Sequence, residues 1–127
     1  MQEVRLTQPA LDFILHASRS TFPQEFAGLL RKNRKGEIAE VLVIPQSVYG
    51  DDFSSINLWN VPYTSRHCGS VHSHPGWSAR PSEEDIDFFK MTGTVHIIAC
   101  RPFIPSSVRA FDQDGKELAI KIARTHE

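Results

Sequence analysis

Cysteine is scarce: Cys68 and Cys100 are the only two among 127 residues. Two thiols cannot build the disulfide framework that holds many small secreted domains together, and their spacing matches no paired-cysteine zinc knuckle. They read as two buried thiols on strands, with a single bridge between them left open. Long apolar runs are missing as well, since no stretch approaches the roughly 20 residues needed to cross a bilayer. Neither sign of charge is in excess. Fourteen Lys and Arg stand against fifteen Asp and Glu, a formal net charge of -1. That balance gives no bulk attraction to nucleic acid or to an anionic membrane, so neither is expected as a partner. The opening residues MQEVRLTQPALDF carry charges and lack the apolar stretch of a signal peptide. A cytoplasmic protein is the expectation. Repeats, low-complexity tracts and linkers are also absent.

What is present is ordinary globular material, 40% hydrophobic and 23% charged. The length suits one domain spanning 1–127 with a core of normal size.

Thr7 is a plausible N-cap and Pro9 falls in the first turn of a helix. Leu11, Ile14, Leu15 and Ser18 follow helical spacing, so residues 8–20 read as an amphipathic helix stopped by Phe22-Pro23. Residues 26–31 form a short apolar run, Asn33-Arg34-Lys35-Gly36 is a turn signal, and residues 37–44 resume as a strand. Residues 45–66 are irregular and rich in aromatics, and long loops of this kind are often functional. Residues 71–74 read as the end of a strand, 75–81 as a loop, 82–91 as a helix and 94–100 as a β-prone apolar run. Residues 108–111 and 117–122 close the chain as a hairpin around Asp112-Gln113-Asp114-Gly115. The strand–helix–strand unit from His72 to Cys100 implies a parallel crossover, whereas the hairpins are antiparallel. The fold class expected is α/β, a mixed sheet packed between helices.

Chemistry concentrates in residues 72–85, HSHPGWSARPSEED. Residues two apart on a strand face the same side, so His72 and His74 present two imidazoles together. Asp85 follows eleven residues after His74, where the first turn of the next helix can fold back over the strand end. Two His and one carboxylate are a ligand count seen in catalytic zinc sites. Each part also has a plainer reading. A His-x-His pair alone is weak, and Ser82-Glu83-Glu84-Asp85 fits a helix N-cap followed by acidic residues that suit the helix dipole. Cys68 shares the strand face of His72 by parity. Four residues of extended strand nevertheless separate the two by roughly 13 Å, too far for one ion. His16, His67, His96 and His126 default to surface or satisfied core positions.

His72-x-His74, seven residues, then Ser82-x-x-Asp85 resembles the HxHx7SxxD signature of the JAMM/MPN+ metalloproteases, in particular their short archaeal and bacterial members. The resemblance extends to Pro23-Gln24-Glu25-Phe26-Ala27-Gly28-Leu29-Leu30, which is similar to the upstream segment carrying that family's glutamate. RPSEED and the HIIAC run fit as well, so the likeness covers nearly the whole chain. It implies a cytidine-deaminase-like MPN fold, with one zinc ion per chain held by His72, His74 and Asp85. It further implies Glu25 as general base towards the catalytic water, and Ser82 as the serine that stabilises the tetrahedral oxyanion. By the same resemblance the substrates are ubiquitin-like modifier proteins and their lysine conjugates, cut after the C-terminal glycine. A homodimer is left open.

The chain lacks the long insertion after the Ser82 helix that eukaryotic members use to grip a second ubiquitin, so linkage selectivity of that kind is not expected. The aromatics of 45–66 suit either a groove for a substrate tail or a satellite cluster under a loop. Trp77 flanks the site or packs beside it. Competing functions are trimming of a sulfur-carrier protein or a peptide, a non-catalytic MPN-type binding module, and an iron oxygenase with a two-His-one-carboxylate site. A nucleobase deaminase is disfavoured because no PCxxC motif accompanies the histidines.

Overall fold

The computed structural model describes residues 3–45 and 66–124. Seven strands and two α-helices follow in the order β1 (Glu3–Thr7), α1 (Gln8–Thr21), β2 (Ala27–Lys32), β3 (Ile38–Val43), β4 (Gly69–His74), α2 (Glu83–Thr92), β5 (Val95–Cys100), a 3-10 turn (Pro105–Ser107), β6 (Val108–Phe111) and β7 (Glu117–Ala123). The expected mixed sheet between helices is what forms. β2–β3 and β6–β7 are antiparallel hairpins, while β4 and β5 run parallel with His72 opposite Ile98 and His74 opposite Cys100. The element order places α2 between them, as the crossover requires.

The first strand was not anticipated. β1 lies parallel to β7 over five residue pairs, from Glu3 opposite Ala119 to Thr7 opposite Ala123, and touches β3 at Leu6 opposite Ile38. The strand order β1-β3-β2-β4-β5-β6-β7 therefore closes on itself. β7 covers one edge of β1 along its whole length, while the other edge meets β3 at one pair only, so closure blocks unwanted strand pairing chiefly on the β7 side.

Two apolar layers lie on opposite faces of the sheet. On one, Leu11, Ile14 and Leu15 of α1 pack with Leu30, Val71 and Ile97. On the other, Phe88 and Phe89 of α2 pack with Ala27, Leu29 and Ile98. The alternation is clearest on β5, where all six residues are buried and Ile97 and Ile98 serve different layers. A fully buried side chain of this size contributes about 1.5–3 kcal/mol. His72 is fully buried beside Ala27 and Ile98 of the second layer, so the site is built into the edge of the core.

Local signals explain the helix ends. Thr7 Oγ1 accepts from Ala10 N at 3.3 Å and caps α1, with Pro9 in the first turn, where a missing N–H costs nothing. Ser82 caps α2, and Glu83, Glu84 and Asp85 occupy its first turn, where the helix dipole favours negative charge. Gly69 lies so close to Val95 that a Cβ there would overlap the Val95 carbonyl. Among the described residues no helix is long and apolar enough to cross a membrane.

The expected irregular region 45–66 lies, apart from its two end residues, outside the described residues. Both cysteines are free thiols. Cys100 is buried on β5, as expected. Cys68 corrects the parity reading. It precedes β4 and packs against the α1-side layer, with its thiol 3.4 Å from the Leu30 carbonyl. Alternation holds only within a strand, and this one begins at Gly69.

Candidate metal centre

β4 ends in His72-Ser73-His74, and the pleat sends both imidazoles to the α2 side. The crossover loop then returns the chain so that Asp85, in the first turn of α2, stands over them. Two imidazole nitrogens and both oxygens of one carboxylate converge. His72 Nε2 lies 3.1 Å from His74 Nε2, His74 Nε2 lies 3.2 Å from Asp85 Oδ2, and His72 Nε2 lies 3.4 Å from Asp85 Oδ1. Ligands placed tetrahedrally around zinc at about 2.0–2.1 Å stand about 3.3–3.4 Å apart. The three observed edges are close to that spacing, and two imidazole nitrogens with one carboxylate form a donor set suited to zinc. Among the described residues this is the one group of three or more His, Cys, Asp or Glu side chains so placed.

Each group is held by a neighbour. His74 Nδ1 donates to the Ser78 carbonyl at 3.0 Å. A carbonyl only accepts, so Nδ1 carries the hydrogen and Nε2 of the neutral ring keeps its lone pair for a metal. Asp85 Oδ2 accepts from Ser82 N at 3.0 Å. In return Asp85 N donates to Ser82 Oγ at 3.0 Å. The N-cap reading and the ligand reading of these two residues are thus compatible: one reciprocal pair does both. The intervening loop is tied to β5, since Arg101 N donates to Gly76 O at 2.9 Å and Arg101 Nη2 to Pro75 O at 2.7 Å. Trp77, 68% exposed, lies over the Arg101 guanidinium at 5.0 Å.

The charges are mutually adjusted. Burial alone would raise the Asp85 pKa, but hydrogen bonds from His72 and His74, the charge of His72 and the Ser82 N–H outweigh it and hold the carboxyl well below the usual carboxylate range. Burial likewise opposes charge on His74. The hydrogen bonds to Asp85 and Ser78 and the charges of Asp85 and Glu25 prevail there and raise its pKa.

Glu25 is half-buried in the irregular segment between α1 and β2. Its charge is the smallest of the causes that raise the His74 pKa. The β2–β4 ladder relates the two residues. Ala27 opposes His72 and Gly28 opposes Val71, so the same register continued two steps sets Glu25 opposite His74. All five residues singled out by sequence gather at this end of β4.

Some supporting residues carried no sequence signal. Ser73 bonds to Phe26, and the Ser78 carbonyl acts through backbone. His96 is a satisfied core histidine, with Nε2 donating to Gly93 O at 2.9 Å and Nδ1 accepting from Ser70 Oγ at 2.7 Å. Its ring stacks on Phe89 at 4.1 Å. His16 is exposed and His67 half-buried.

Comparison with known proteins agrees with this geometry. The family of prokaryotic homologs of the JAB domain matches residues 7–113. A probable metalloprotease from Haloferax volcanii is 39% identical, covering 89% of this chain and 75% of its own. A solved structure described as a JAMM metalloprotease-like zinc site in the proteasome and signalosome is 29% identical, covering 98% of this chain and 100% of that one with a TM-score of 0.73. A JAB1/MPN domain protein from Archaeoglobus fulgidus is 31% identical, covering 94% and 100% with a TM-score of 0.72.

Proposed function

The chain belongs to the prokaryotic homologs of the JAB domain, and from that premise we propose that it is a zinc-dependent peptidase cutting the isopeptide or peptide bond after the C-terminal glycine of a ubiquitin-like modifier protein. The observation that carries the hydrolase reading is the convergence of His72 Nε2, His74 Nε2 and the Asp85 carboxylate, whose Oδ1 lies 3.4 Å from His72 and whose Oδ2 lies 3.2 Å from His74, with the two imidazole nitrogens 3.1 Å apart. The choice of a modifier tail rests on the likeness of HxHx7SxxD and the Glu25 segment to JAMM/MPN+ proteases.

His72, His74 and Asp85 would hold one zinc ion. Bound there, zinc supplies Lewis acidity, polarising the scissile carbonyl and making a water molecule more acidic. Glu25, facing His74, accepts a proton from the attacking water and returns it to the departing amine as the C–N bond breaks. Ser82 Oγ already accepts from Asp85 N, and a hydroxyl still has its own hydrogen to give. That hydrogen goes to the oxyanion of the tetrahedral intermediate, an interaction worth about 3–4 kcal/mol in comparable sites. Neither thiol takes part. A cavity of about 720 Å³ lies beyond the 75–81 loop, between Trp77 and Arg80 on one side and Arg109 and Glu117 on the other; no metal ligand lines it, and it offers room for substrate residues away from the cut.

The test combines metal analysis with cleavage of a ubiquitin-like protein joined through Gly-Gly to a lysine, with and without chelator. About one zinc per chain and chelator-sensitive release of the modifier are expected. Zinc-loaded protein that leaves both the conjugate and a linear Gly-Gly fusion intact would overturn the substrate reading. Cleavage unaffected by complete metal removal would overturn the hydrolase mechanism.

A further inference from the structure

Ser73 sits between the two histidines, yet neither metal binding nor proton transfer uses it. Alternation turns its side chain to the face opposite His72 and His74, where the residue is 1% exposed. There it meets Phe26. Ser73 N donates to Phe26 O at 2.9 Å, and Phe26 N donates to Ser73 Oγ at 2.8 Å. Two residues facing each other in a hydrogen-bonded antiparallel pair normally exchange two backbone bonds. Here the second bond ends on the side chain, so a single residue holds both main-chain polar groups of Phe26. The ring of Phe26 is fixed independently: it is 3% exposed and meets Phe13 of α1 edge-on at 6.2 Å.

Glu25 is the next residue. It belongs to no helix or strand, and its position opposite His74 follows from the register that Phe26 and Ser73 prolong beyond the last paired residues, Ala27 and His72. We propose that Ser73 is a positioning residue whose hydroxyl pins Phe26 and thereby sets Glu25 over the metal centre. The inference rests on the reading of Glu25 as the base. An apolar residue at 73 would leave the buried Phe26 N–H without an acceptor, and the segment would have to shift to find one. Displacement by about 1 Å can cost on the order of a hundredfold in rate.

Ser73→Thr and Ser73→Val test this as a pair, because the two side chains match in shape and both suit a strand, and only the first keeps the hydroxyl. Zinc-loaded Ser73→Thr should retain wild-type amide hydrogen exchange at Phe26 and near-wild-type turnover of the modifier–lysine conjugate. Ser73→Val should keep its zinc and its KM, exchange the Phe26 amide about tenfold faster, and lose about 10- to 100-fold in kcat. Placed in a Glu25→Gln background, the two variants should turn over equally, since the residue through which Ser73 acts is already disabled. Equal Phe26 exchange in Thr and Val variants would overturn the pin. So would a Val penalty of the same size with and without Glu25. Wild-type turnover by Glu25→Gln alone would overturn the base reading instead. If the wild-type protein leaves the conjugate intact, the substrate reading fails, and Phe26 exchange by itself decides whether Ser73 pins the segment.

Discussion

His74, the last residue of β4, donates from Nδ1 to the carbonyl of Ser78 in the loop that follows, at 3.0 Å. In the neutral ring this bond keeps the hydrogen on Nδ1, so Nε2, the atom that faces His72 and Asp85, is left to bind a metal. His74 itself is only half-buried at the strand end and belongs to neither apolar layer. His74→Ala should therefore lose zinc and activity while keeping the fold, read by metal analysis, turnover and circular dichroism. Full activity in His74→Ala would sink the metal assignment.

Glu25→Gln preserves size and hydrogen bonding but cannot take a proton. It should bind zinc as the parent does and lose about 10²- to 10⁴-fold in turnover. Loss of zinc along with activity would make Glu25 a ligand. Undiminished turnover would send the search for a base to Glu37, Glu83 or Glu84.

Ser82 carries two roles that respond on different scales. Ser82→Ala removes the N-cap of α2, which should cost about 1 kcal/mol in denaturation experiments. It also removes a donor to the oxyanion, which should cost about 10²- to 10³-fold in kcat. A melt that moves while kcat stays put would confine Ser82 to capping.

Trp77 is 68% exposed and rests on Arg101, so little of the core depends on it. If substrate residues use the neighbouring cavity, Trp77→Ala should raise KM several-fold, on the order of 1 kcal/mol, with kcat and melting temperature almost unchanged. Unaltered KM would place the substrate elsewhere.

Burial lowers the His96 pKa to about 4 from 6.5, with the charge of His72 acting in the same direction. The backbone bonds to Gly93 and Phe89 and the charge of Asp112 oppose this without offsetting it. Between those values the unfolded chain binds the proton that the folded chain refuses. Stability is then complete above about pH 6.5 and declines as pH falls towards 4, by ~3 kcal/mol over the window. Denaturation of metal-free wild type and His96→Gln across this range isolates the group, because the other titrations are common to both. Parallel pH dependence in the two proteins would contradict it.

The triad was legible because its spacing is local: a strand two-step joins His72 to His74, and one short crossover brings Asp85 back. Helix α1 announced itself through Thr7, Pro9 and four residues at helical intervals. Glu25 was legible only through resemblance, since nothing in 47 residues of separation forces it towards His72. β1 escaped notice because five residues of alternating pattern, two of them charged, become a strand only through β7 and β3, which lie far along the chain. Ser73 looked like a spacer between ligands. A side chain that bonds a distant backbone amide leaves no periodicity to read.

The placement of β1 has a consequence for how this protein is made. Among the described strands β1 leaves the ribosome first, yet β7, its partner over five residue pairs, comes last. During synthesis β1 has only its single pairing with β3 to lean on. The β2–β4 and β4–β5 pairs, which carry His72 and His74 and adjoin Glu25, can assemble before the sheet is closed. Closure arrives at the end, when β7 docks beside a strand that has waited for the rest of the chain. A nascent chain halted before β7 would thus present the metal ligands on a sheet whose first strand is still unsecured.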